Sequence, residues 1–69
     1  MTQHEMILKY IEDFGSITPM EAFSELGITK LATRISEMRR KGYEFKVVMV
    51  KGKNRYGKTV YYAEYSAVD

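Results

Sequence analysis

The chain has 69 residues, eleven Lys or Arg, nine Asp or Glu, one histidine and no cysteine. That length implies one domain with a small core, burying only roughly 60% of its unfolded surface. The missing thiols exclude a disulfide framework and a thiolate metal site, no apolar run approaches the roughly 20 residues of a membrane span, and no signal peptide opens the chain, so a cytoplasmic protein is expected.

The net charge of +2 hides a strong asymmetry. Residues 1–29 set Lys9 against Glu5, Glu12, Asp13, Glu21 and Glu25, a balance of −4. Residues 30–58 set ten cations against Glu37 and Glu44, a balance of +8. Glu64 and Asp69 make residues 59–69 −2. An acidic scaffold bearing a basic surface is what a nucleic-acid binder needs to dock one way round.

Thr2 and Glu5 form a capping box that opens a first helix over about 2–14. Met6, Ile7, Tyr10, Ile11 and Phe14 supply its apolar pattern, with Leu8 on the flank, and Gly15 ends it. His4, without a partner in sequence, reads as an exposed first-turn residue. Ser16-Ile17 is too short for a strand of its own but can extend a sheet edge and anchor Ile17 in the core.

Thr18, Pro19 and Glu21 start a second helix, 18–26, with a capping hydroxyl, a proline where no N–H is needed and a reciprocal carboxylate. Gly27 stops it, and Ile28 is placed to pack back on it. Thr29 is then expected to cap a third helix, 29–41, that stops at Gly42. At 100° per residue Leu31, Ile35 and Met38 form its inner stripe. Tyr10, Phe14, Ile17, Phe23, Leu26, Leu31, Ile35 and Met38 are the expected three-helix core, with Ala22 also turned inward.

The outer face of the third helix carries Thr29, Lys30, Thr33, Ser36, Glu37 and Arg40, expected to face base edges in a major groove about 12 Å wide. Arg34, Arg39 and Lys41 flank that face as expected phosphate contacts. A polar outer face on its own is equally that of any solvated surface helix.

From Tyr43 the apolar period falls from about 3.6 to 2, which marks strands. A hairpin is expected over about 44–65, leaving Ser66 to Asp69 as a frayed tail. Its tip, 51–58, holds Lys51, Lys53, Arg55 and Lys58 with Asn54, Tyr56 and two glycines, and no acid. Such a tip can lay cations on phosphates or in the minor groove, or merely solubilise a hairpin.

Crossed helices followed by a basic hairpin outline an α+β winged helix-turn-helix. The stretches SITPMEAF, LGITKLATRI and NRYGK make the chain resemble the small winged helix-turn-helix proteins of phages, prophages and mobile elements, over nearly its whole length. The resemblance implies Thr29 to Lys41 as recognition helix and Gly52 to Lys58 as wing. It departs from the familiar helix-turn-helix pattern in having Phe23, not a small residue, four before Gly27.

The leading expectation is double-stranded DNA binding in transcription control or recombination, with a homodimer as a further expectation. The competing one is a protein-binding module, such as a phage-encoded inhibitor of a host nucleic-acid-binding complex. An exposed apolar patch of Val48, Val50, Tyr61 and Tyr65 would favour it. No catalytic pair, phosphate loop, cofactor motif or metal-ligand spacing is present, so an enzyme is not expected.

Overall fold

The computed structural model describes residues 1–68. Helix α1 spans Gln3–Phe14; Thr2 caps it, its hydroxyl accepting from the Glu5 N–H at 3.1 Å while the Thr2 N–H donates to the Glu5 carboxylate at 2.8 Å. Gly15, at φ 91, reverses the chain into the two-residue strand β1, Ser16–Ile17. Helix α2, Pro19–Leu26, repeats the same device with Thr18 and Glu21.

Gly27 ends α2 in the left-handed conformation (φ 69), and the next N–H, that of Ile28, donates back to the Ala22 carbonyl at 2.9 Å. This closure drives Ile28 into the core. Helix α3 spans Leu31–Arg40, shorter at both ends than the expected 29–41. Thr29 does not cap it. Lys30 takes the capping position with no side-chain hydrogen bond, because burial of Ile28 and Leu31 fixes how the chain approaches the helix.

Strands β2, Phe45–Lys53, and β3, Thr59–Ala67, form the hairpin, and β1 pairs on the far side of β3, giving the antiparallel order β1-β3-β2. Ile17 lies opposite Tyr65 and Ser16 opposite Ser66. The expected frayed tail is therefore corrected: Ser66 and Ala67 pair with Lys46 and Phe45, while Asp69 lies outside the described residues. Both ends of the hairpin are tied to the body, and the order follows from Gly15 sending β1 alongside β3.

The core comprises Ile7, Ile11, Ile17, Ala22, Ile28, Leu31, Ile35, Met38 and Tyr65, with Tyr10, Leu26 and Phe45 packed against it half-buried. Two expected core residues are outside it: Phe14 is 70% exposed and Phe23 60%. Phe14 continues the inner stripe of α1, but the Gly15 reversal brings Ile17 in under that end of the helix. On α2 the inward positions are Ala22 and Leu26, four apart, and Phe23 lies about 100° round from Ala22. Small Ala22 lets α2 approach closely.

Candidate nucleic-acid interface

Helix α3 sorts its side chains by angle. Leu31, Ile35 and Met38 are buried, and Thr33, Ser36 and Arg40 are exposed on the opposite side. Ala32, which the sequence reading passed over, is exposed as well and lies four residues before Ser36. Its position on the helical wheel was the available signal. Thr29 and Lys30 are exposed but sit ahead of the helix, in the turn and at the cap.

The two flanks of α3 are anchored differently. On one, the Arg39 Nη2 donates to the Phe45 carbonyl at 3.3 Å, tying the helix to the start of β2. On the other, His4 Nε2 lies 2.9 Å from Glu37 Oε1, a hydrogen bond between α1 and α3. Arg34 Nε lies 3.3 Å from the same carboxylate, close enough to pair in charge but not aligned for a hydrogen bond. His4 is thus not a solitary exposed residue. It is half-buried and bonded to a residue 33 positions away, a spacing that no local pattern reveals.

Glu37, expected at the base edges, is half-buried in this cluster and its carboxyl is held below the ordinary range by the His4 hydrogen bond, with Arg34, His4 and Lys41 adding charge. The carboxylate is committed within the protein and offsets part of the cationic flank. The remaining outward stripe, Thr33, Ser36 and Arg40, is neutral to basic.

Past α3, Lys41 closes the helix and Gly42 turns the chain at φ 99. The hairpin register places Phe45, Val47, Met49, Lys51 and Lys53 on one face with Tyr65, Ala63, Tyr61 and Thr59. Phe45 and Tyr65 pack against the helical core, so Lys51 and Lys53 extend the side of the sheet that covers the helices. The turn itself is shorter than expected, Asn54 to Lys58. Asn54 builds it: its side-chain oxygen accepts from the Tyr56 and Lys58 N–H groups, both at 3.0 Å. Gly57 supplies the positive φ, 77, that closes it.

Asn54 therefore shapes the tip, leaving Arg55, Tyr56 and Lys58 fully outward; Tyr56 is 88% exposed. Among the described residues the ion pairs are Lys9–Asp13, His4–Glu37 and Arg34–Glu37. Every cation from Arg39 to Lys58 is free of an ion pair with a carboxylate among the described residues. The apolar patch named in the sequence reading does not exist as a unit: Tyr65 is buried, and Tyr61 lies on the opposite face from Val48 and Val50.

A helix-turn-helix with a three-stranded sheet whose hairpin carries unpaired cations is the observation that decides the family. A family model described as a winged helix-turn-helix domain matches residues 2–69. The chain belongs to the winged helix-turn-helix domain family. No curated relative and no solved structure matches it. Membership points to DNA as the partner of this winged helix. No helix among its described residues is long and apolar enough to cross a membrane.

Proposed function

We propose that this winged helix binds double-stranded DNA sequence-specifically, with α3 in the major groove and the hairpin tip on the adjoining backbone or minor groove. One observation carries the reading: an exposed Thr33–Ser36–Arg40 stripe and a wing of unpaired cations occur together in one small fold. Arg40 is the residue suited to bidentate contact with guanine, Thr33 and Ser36 to shorter hydrogen bonds, and Ala32 to a thymine methyl group. Thr29 and Lys30 approach the groove at the helix start. Arg39, Lys41, Lys51, Lys53, Arg55 and Lys58 neutralise phosphates, and Arg34 does so while paired to Glu37.

A single module of this kind covers only about 600–1,000 Å², so two copies acting on one site fit the reading better than one. The role proposed is control of transcription or recombination by a phage or mobile element, in the cytoplasm. It rests on the resemblance of the SITPMEAF, LGITKLATRI and NRYGK stretches.

Fluorescence anisotropy with a random duplex, then with a selected site, tests this. Arg40→Ala is expected to relax base preference at one position. Lys53→Ala is expected to weaken all sequences alike and to lower the salt slope by about 1. Equal losses on every sequence from both variants would refute the division of roles, and no binding at low salt would refute the DNA reading.

A second reading, binding of another protein such as a host nucleic-acid-binding complex, is favoured by one feature. Val48, Val60 and Tyr62 share the outer sheet face, and a groove runs from Val60 and Tyr62 to Met20 on α2, leaving apolar surface exposed.

A further inference from the structure

A second surface lies wholly within the acidic segment, residues 1–29. Met1, α1 and α2 enclose a groove of about 340 Å³, at the lower end of the range that takes small ligands and roomy enough for one aromatic side chain. Its floor is apolar, with Tyr10, Phe14 and Leu26; the Tyr10 and Phe14 rings stack at 4.7 Å between centroids. Its rim carries Asp13 and Glu25, together with Lys9, so the acidic side is in the majority by one charge. Asp13 is shared with Lys9 at 3.1 Å, whereas Glu25 has no partner among the described residues. Burial raises the Tyr10 phenol above its ordinary value, and the Glu21 and Glu25 carboxylates raise it further, so the groove sits in a negative field.

The complement of that groove is present on the same chain. Among the described residues Tyr56 is the most exposed of the large apolar side chains, and it stands among Lys53, Arg55 and Lys58, none of them ion-paired there. An aromatic ring ringed by cations is the type of anchor that dominates protein interfaces. Nothing from the wing lines the groove, so within one molecule each surface is left without the other.

We propose that the wing tip of one copy docks in the α1–α2 groove of another, Tyr56 entering between Tyr10, Phe14 and Leu26 while the wing cations face Glu25 and Asp13. The contact is heterologous, head to tail, and so open-ended. It occupies the same cations that the wing would lay on phosphate. Resting on the DNA-binding reading, it follows that duplex DNA competes with this head-to-tail contact and breaks it as the wing binds, whether one copy or two then occupy the site.

Sedimentation equilibrium of the intact chain at several protein and salt concentrations tests this. The interface is small, so association is expected at roughly 10–500 µM and about 50 mM salt, and is expected to disappear near 500 mM salt. Two variants separate the halves. Phe14→Ser with Glu25→Lys disables the groove, and Tyr56→Ala with Arg55→Glu disables the wing. Each alone is expected to stay at the 8.1 kDa monomer mass, with association weakened at least about tenfold.

Mixed in equal amounts, they are expected to form a one-to-one pair and nothing larger, because one retains a working wing and the other a working groove. A misfolded variant would not complement. Wild-type protein that stays monomeric at about 500 µM and low salt would overturn the proposal. So would variants that associate like wild type, or a mixture that stays monomeric although each variant keeps the wild-type circular dichroism spectrum and cooperative unfolding.

The DNA reading is judged separately. The groove variant is expected to bind duplex as wild type does. A duplex that binds while leaving the oligomers intact would overturn the competition.

Discussion

The helical body and the hairpin are built on different principles. In the body every element contributes fully buried side chains: Ile7 and Ile11 from α1, Ile17 from β1, Ala22 from α2, and Leu31, Ile35 and Met38 from α3. In the hairpin only Tyr65 is fully buried, and β2 has no buried residue along its nine positions. The body is held by packing, and the outer hairpin by its backbone ladder. Order should therefore decline along the hairpin towards the tip, where the unpaired cations are. On the proposed DNA reading, a well-packed α3 beside a yielding hairpin would let one element fix register while the other adjusts to the phosphate backbone.

The sharpest test of this contrast is a pair of truncations. Ile35→Ala is expected to cost about 2–5 kcal/mol in urea unfolding, through lost burial and a cavity. Val48→Ala on the exposed strand should cost below about 1 kcal/mol. Similar losses at the two sites would break the comparison. Next in size, Thr18→Ala removes the α2 cap and should cost about 0.5–2 kcal/mol, read as a shift in denaturation midpoint at unchanged slope.

Hydrogen exchange should then show the amides of Val50 to Lys53 and Thr59 to Tyr61 opening well before those of α1 and α3. DNA is expected to slow them selectively. Uniform protection across both regions would contradict a graded hairpin.

Acid provides a smaller effect with a definite sign. Glu5 is held below its ordinary value of 4.5 by hydrogen bonding to the Thr2 backbone, and Glu37 by its bond to His4. A carboxylate with a lowered folded pKa stabilises the fold fully above the unfolded value. That contribution is lost as pH falls from about 4.5 through the lower folded value. Glu37→Gln should therefore flatten the acid limb of a stability–pH curve, and a curve unchanged in shape would deny the His4–Glu37 tie a role.

Smallest of all, Gly52→Ala should change stability by no more than about 0.5 kcal/mol. Its new methyl would stand 3.4 Å from the Tyr62 ring, ordinary contact, and its φ is not positive.

The fold was largely legible because its punctuation is local. Both capping boxes, the Pro19 start and the glycine stops lie within four residues of what they control, and the change of period at Tyr43 separates helix from strand. Most of the missing parts were consequences of contact between elements. Phe14 had the right period for the core, yet Ile17 occupies the space beneath it. Ile28, expected to pack back on α2, is buried, whereas Tyr65 had no periodic signal strong enough to place it in the core and is buried there by elements that return from elsewhere in the chain. His4 and Glu37 meet across 33 residues, and Asn54 looked like a surface contact until its turn closed round it. At the candidate interface, residue types were readable from sequence, but which side chains were already engaged was not.

The two residues of β1 have a mechanical role out of proportion to their length. They join β3, not β2, so the hairpin hangs from the body by its inner strand, with Ile17 against Tyr65 as the pin. That pin bears on the span between α3 and the hairpin tip, like the pivot of a pair of dividers. Alterations at residues 16 and 17 would reset that span and, on the proposed DNA reading, the stretch of groove it straddles, without changing a single outward-facing cation.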